Sequence, residues 1–199
     1  TGSQIDLCYP MLAKVTPKNK VTHVINTLKQ YTQTNYKGNL TTGLVGVPII
    51  TQWATQAGEA EFMYSMLKKR DYPSYLYMID NGATTTWEYW NGYRSRIHNC
   101  YNGIGSWFYE ALGGITPDEK HPGFEHVFIA PQYVNGLTHV KVSKPTPYGS
   151  IASEWKVDGK VFTLSVSIPF GSSATVTLPG SNEKQTIKSG EYHFETVLR

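Results

Sequence analysis

Cysteine is scarce, with only Cys8 and Cys100 in 199 residues. The chain has no CxxC pair and no Cys/His cluster at zinc-ligand spacing, so no structural zinc and no other metal is expected. The two cysteines are read as separate buried thiols, with a Cys8–Cys100 disulfide left open. Charge is also sparse, at 17% of residues, and the net value of +3 is spread along the chain. The one dense basic run, Lys68-Lys69-Arg70, falls where a helix should end, and cations there complement the helix dipole. It is read as a solvated helix end, so no nucleic-acid partner is expected. No apolar run approaches the roughly 20 residues of a membrane span, and no membrane partner is expected. No leader peptide is recognisable. The chain opens on Thr1-Gly2-Ser3 without methionine and so reads as a piece of something longer.

Aromatic residues are plentiful, at 13%, with 14 Tyr and 5 Trp. Rings stack on the apolar faces of sugars, but they also fill cores, and composition leaves the two readings even. Up to about residue 113 the periodicity is helical. Ile5, Cys8, Leu12 and Val15 mark a short first helix that Pro10 should kink or limit. Thr16-Pro17 has the form of an N-cap followed by proline at the first helical position. Behind it Val21, Val24, Ile25 and Leu28 share one face. A segment from Pro48 carries Ile49, Ile50, Trp53, Ala54 and Ala57 and stops at Gly58. Ala60, Met63 and Leu67 face one way on the next helix. Pro73 starts a short one through Ile79, ended by Asn81-Gly82. The last runs from His98 to Leu112 with Ile104, Trp107, Phe108 and Ala111 inward. About six helices with short connections suit stacked antiparallel hairpins.

From about Glu125 the pattern becomes short strands, approximately 126–130, 138–143, 151–157, 161–168, 174–178, 185–188 and 192–197. Asp158-Gly159 is a two-residue hairpin signal. Seven such strands with Gly/Pro punctuation predict an antiparallel β-sandwich. The polar, turn-rich segment 116–123 places a domain boundary there, giving a helical domain over 1–117 and a β domain over 118–199.

The segment Asn81-Gly-Ala-Thr-Thr-Thr-Trp-Glu-Tyr-Trp90 has little helical periodicity and is bracketed by Gly82 and Asn91-Gly92, so it is read as a loop. Glu88 stands there among Trp87, Tyr89 and Trp90. A carboxylate in an aromatic setting is costly unless something needs it. Glycoside hydrolysis needs one to activate water or attack the anomeric carbon, with rings holding the sugar. The alternative is a surface glutamate beside buried rings. His98, ten residues on, either bonds a sugar hydroxyl or packs structurally. The other histidines, at 23, 121, 126, 139 and 193, form no cluster in the sequence.

Gly82-Ala-Thr-Thr-Thr-Trp-Glu-Tyr-Trp90 resembles the GATT-x-WE-x-W signature of the family 78 glycoside hydrolases, the bacterial α-L-rhamnosidases. Thr42-Gly43-Leu-Val-Gly46-Val-Pro48, Tyr72-Pro73-Ser74, Ser95 with His98, Ala111-Leu-Gly-Gly-Ile115, Phe128-Ile-Ala-Pro131 and Pro147-Tyr-Gly149 with Ser153-Glu-Trp155 match other family motifs in order. The resemblance therefore covers essentially the whole chain. It implies the C-terminal half of an (α/α)6 catalytic barrel followed by an antiparallel β-sandwich. It implies an inverting hydrolase of terminal α-L-rhamnosyl residues, with Glu88 as general base and His98, Trp87 and Trp90 as substrate-binding residues. The general acid would lie on upstream helices outside this chain, so the chain alone should be inactive. Ile97 departs from the family, where asparagine is common before the histidine, which puts the sugar contacts at that corner in doubt.

The resemblance implies a carbohydrate substrate, the upstream part of the same polypeptide as partner, no cofactor, and a periplasmic or secreted location. Half a barrel leaves apolar helix faces uncovered, so self-association of the isolated chain is expected. The competing reading is non-catalytic: a structural scaffold, or a sandwich that binds carbohydrate through Trp155 and Tyr148. Asn39-Leu40-Thr41 fits a glycosylation sequon, a pattern common by chance.

Overall fold

The computed structural model describes residues 2–198; the side chain of Cys100 lies outside the described residues, and with it any pairing with Cys8. The chain packs as two compact units, 1–106 and 107–199.

The first unit is helical. Helix α1 (Gln4–Leu12) is capped by Ser3, whose Oγ accepts from the Asp6 N–H at 3.2 Å. Pro10 stands inside α1, which ends two residues later, and Val15 falls beyond the helix, exposed rather than aligned with buried Cys8. Gln4 is buried and joins three segments: its Nε2 donates to Thr32 Oγ1 (3.1 Å) and to the Asn39 carbonyl (3.0 Å), while its Oε1 accepts from the Thr41 N–H (2.9 Å).

Thr16 does not cap helix α2 (Val21–Tyr36). Pro17 occupies the cap position of an intervening 3-10 turn, Lys18–Lys20, and no side chain caps it. Pro17 can open the tight turn over Lys18-Asn19-Lys20 because that turn asks for no N–H from it; the Lys20 N–H closes it on the Pro17 carbonyl at 2.8 Å. Leu28 is the deepest residue of the expected α2 face. Helix α3 (Gly46–Ala57) starts two residues ahead of Pro48, which still lies in the first turn, where its missing N–H costs nothing. It ends at Gly58 with φ +73°, the left-handed conformation glycine adopts without strain. Helix α4 (Ala60–Leu67) buries Ala60 and Met63, and Lys68 just past it lies 4.6 Å over the Tyr64 ring. Helix α5 (Tyr75–Asp80) is capped by Ser74, one residue after Pro73, through a Tyr77 N–H bond of 3.0 Å.

The loop expected over 81–90 is present and extends to 98. The expected single helix from His98 to Leu112 is instead a 3-10 turn (Asn99–Gly103), helix α6 (Ile104–Trp107) and a π-helical turn (Phe108–Leu112). Phe108, the first residue of the π turn, is exposed, while Trp107 and Ala111 are buried. Among the described residues no helix is long and apolar enough to cross a membrane.

Among the described residues the second unit is a two-sheet sandwich of eight strands. β1 (Ile115–Pro117), β2 (His126–Ile129), β6 (Ser173–Val176) and β7 (Gln185–Ile187) form one sheet in the order β1-β2-β6-β7. β3 (His139–Thr146), β4 (Gly149–Asp158), β5 (Val161–Ile168) and β8 (Gly190–Val197) form the other, as a β3-β4-β5-β8 meander. Among the described residues the strands pair antiparallel except β2 and β6, which run parallel. Alternation drives the burial: Ile151, Ser153 and Trp155 of β4 point inward, as do Phe162, Leu164, Val166 and Ile168 of β5. They meet Ile115, Val127, Ile129, Ala174, Val176 and Ile187 of the facing sheet in one core. The β4–β5 turn is centred on Gly159-Lys160, because Asp158 still pairs with Val161, and Gly159 carries φ +58°.

Candidate active site

The loop after α5 doubles back on itself. The His98 N–H donates to the Thr86 carbonyl (2.9 Å) and the Glu88 N–H to the Ser95 carbonyl (2.8 Å), so 86–88 runs beside 95–98 like a short irregular hairpin. The reversal closes at Tyr89, whose carbonyl accepts from the Gly92 N–H (2.9 Å). Gly92 has φ +76°, and a Cβ there would approach the Trp87 ring to 3.0 Å, so glycine permits both the turn and the close ring packing.

Glu88 sits on the outgoing arm with its side chain 19% exposed. Its Oε2 accepts from the Ser95 N–H at 3.3 Å, and its Oε1 lies 3.7 Å from the Arg94 guanidinium. Thr86 adds a second tie across the loop, donating to the His98 carbonyl, and its Oγ1 lies 2.8 Å from Asn102 Oδ1. A carboxylate held at both oxygens yet open to water can take a proton from a water molecule. His98 is half-buried, in the loop just before the 3-10 turn rather than at the start of a helix.

Trp87 and Trp90 are 3% and 7% exposed. Trp90 donates from Nε1 to the Thr42 carbonyl (3.1 Å) and packs on Tyr75 (5.2 Å, edge-on) and Tyr101 (4.2 Å, tilted). Arg96 lies 5.2 Å over the Trp87 ring. Trp90 thus fastens the loop to α5 and the following 3-10 turn, Trp87 packs within the loop against Gly92 and Arg96, and both leave little surface open to a sugar. Beside the loop is a cavity of about 500 Å³ whose lining includes Tyr75, Met78, Ile79, Thr85, Thr86 and Asn102. The three threonines before Trp87 bound this space; Glu88 does not. Among the described residues no three His, Cys, Asp or Glu side chains are grouped so as to hold a metal ion.

In the sandwich, Trp155 is fully buried, donates from Nε1 to the Leu112 carbonyl (2.7 Å) and packs on Phe162 at 5.3 Å. It cannot stack on a sugar, which removes the main support for a carbohydrate-binding sandwich; Tyr148 is exposed. The solvent face of the meander carries Glu154, which accepts from Lys141 (2.9 Å), His139 (3.1 Å) and Lys156 (3.3 Å). Those bonds, Lys141's first, pull its carboxyl down to about 2.

Residues 1–112 match the family described as the bacterial alpha-L-rhamnosidase 6 hairpin glycosidase domain, and residues 114–193 match the bacterial alpha-L-rhamnosidase C-terminal domain. The chain belongs to the bacterial α-L-rhamnosidase family. It is 35% identical to an α-L-rhamnosidase of Alteromonas sp. (strain LOR) over 185 residues, covering 80% of this chain and 20% of that protein. It is 34% identical to one of Formosa agariphila over 157 residues, covering 73% and 17%. Among solved structures, an Aspergillus terreus α-L-rhamnosidase superposes with a TM-score of 0.91 at 28% identity, over 98% of this chain and 24% of that one. One from Dictyoglumus thermophilum gives a TM-score of 0.90 at 27% identity, over 98% and 25%. The chain thus spans about a fifth of the length of the curated relatives it matches. The helical unit is accordingly part of a six-hairpin glycosidase barrel, and the sandwich is the family's C-terminal domain.

Proposed function

We propose that this chain is the C-terminal part of an inverting α-L-rhamnosidase in which Glu88 is the general base. The observation that carries the reading is the hold on Glu88: a single carboxylate, fixed through both oxygens in a loop pinned by buried tryptophans, still reachable by water. In an inverting reaction that carboxylate takes a proton from water as the water attacks the anomeric carbon. A general acid, on the face of the sugar where the leaving oxygen departs, protonates that oxygen, with the two carboxyl groups roughly 6.5–9.5 Å apart. That acid belongs to polypeptide outside this chain, so the chain alone does not turn over. His98, tied through its backbone to Thr86, contacts a sugar hydroxyl, and Trp87 and Trp90 serve the substrate by holding the loop. Exposed apolar residues of the helical unit, such as Val45, Ile79 and Ile97, favour self-association of the isolated chain.

The whole protein should hydrolyse an aryl α-L-rhamnoside and release β-L-rhamnose first, as read by proton NMR before mutarotation. Release of the α anomer would contradict inversion. Turnover by residues 1–199 alone, abolished by Glu88→Gln, would contradict the need for an acid from outside.

A further inference from the structure

Arg94 is an exposed arginine (60%) in an unusual backbone state, with φ at +63°, a region that residues other than Gly, Asn and Asp seldom occupy. That conformation lets successive residues act on the two oxygens of one carboxylate: the Ser95 N–H bonds Glu88 Oε2 at 3.3 Å and the Arg94 guanidinium faces Oε1 at 3.7 Å. The guanidinium is kept in place by two rings, Tyr89 at 5.8 Å and Tyr93 at 5.7 Å, which pack edge to face on each other at 5.6 Å. The distance to Oε1 is that of an ion pair rather than a short hydrogen bond, so a lone pair on Oε1 stays available to a water molecule. We infer that Arg94 is a positioning residue, which holds the Glu88 carboxylate in the rotation that presents Oε1 to the nucleophilic water. This rests on the reading of Glu88 as general base.

The test is steady-state hydrolysis of an aryl α-L-rhamnoside by the whole protein. Arg94→Gly suits the positive φ and so removes the guanidinium while keeping the loop. Its kcat should fall by about 10- to 100-fold with KM within about twofold, as misplacement of a catalytic group predicts. Arg94→Lys should recover most of the loss, and added guanidinium should restore part of the Arg94→Gly rate. In a Glu88→Gln background, Arg94→Gly should change nothing further, since it acts through Glu88. A kcat within about twofold of wild type for Arg94→Gly, while Glu88→Gln collapses activity, overturns the inference and leaves the base assignment standing. Equal losses in both backgrounds also overturn it. Full activity of Glu88→Gln overturns the base assignment and this inference with it.

Discussion

Replacing Trp155 by phenylalanine separates a structural sandwich from a sugar-binding one. Trp155 is wholly buried between the sheets, with Nε1 bonded to the Leu112 carbonyl at 2.7 Å. The smaller ring removes buried carbon equivalent to about one or two methylenes, at ~0.8 kcal/mol each. It also leaves the Leu112 carbonyl unpaired, at about 1–3 kcal/mol. Together the loss is roughly 3 kcal/mol. With a urea slope of ~2 kcal/mol/M, the sandwich midpoint should fall by about 1.5 M, followed by far-UV circular dichroism. Binding of rhamnosides to residues 1–199 should be the same before and after the change. A midpoint shift below ~0.3 M would refute the packing argument. A well-folded variant that has lost rhamnoside binding would refute the structural reading of the sandwich.

Gln4→Leu should destabilise the helical unit by about 3–5 kcal/mol, because it strands the Asn39 carbonyl and the Thr41 N–H; a urea midpoint near wild type would count against that. Gly114→Ala should lower stability by roughly 3 kcal/mol or more, since a Cβ there would sit 2.2 Å from Pro131 N and 2.5 Å from Ala130 C at φ +74°. An unchanged melting temperature would refute it. Glu154 is depressed in the fold to about 2, so its contribution is present above the unfolded carboxylate range and is lost as pH falls from about 4.5 toward 2. Glu154→Gln should therefore flatten the acid limb of the stability–pH curve, and an unaltered limb would show the cluster is inert.

Local pattern made the sandwich legible and left its long-range pairing hidden. Strict alternation in Ser-Glu-Trp-Lys-Val and Val-Phe-Thr-Leu-Ser-Val marks β4 and β5, since each exposes one face. Strand β1 is three residues ending in Pro117, too short to alternate, and exists because β2 pairs with it. The parallel β2–β6 pair joins residues 47 apart, with His126 bonded to Ser173 and Thr175, and no local rule encodes it. At the start of the second unit, Phe108 has the right spacing to face inward, yet it is exposed where the π turn begins, a break in the helix that the spacing does not encode. The sequon at Asn39 carries no hint that the side chain is buried, with its amide donating to Asp71 and to the Tyr72 carbonyl. At the candidate site, Glu88 among its rings was evident from residue types. Its partners Arg94 and Ser95 were not, because they depend on how tightly the chain reverses at Gly92. The same holds for Trp87 and Trp90, whose aromatic character suggests sugar stacking while their packing fastens the loop.

The most direct test of the account is azide rescue of Glu88→Ala in the whole protein, with an aryl α-L-rhamnoside that has a good leaving group. Losing a general base should cut the rate by about 10²–10⁴-fold. Azide needs no deprotonation, so it should restore turnover and give β-L-rhamnosyl azide, with no effect on wild type. Hydrolysis by the variant at the wild-type rate, or an α-configured azide, would contradict Glu88 as the base that activates water on the face opposite the leaving group.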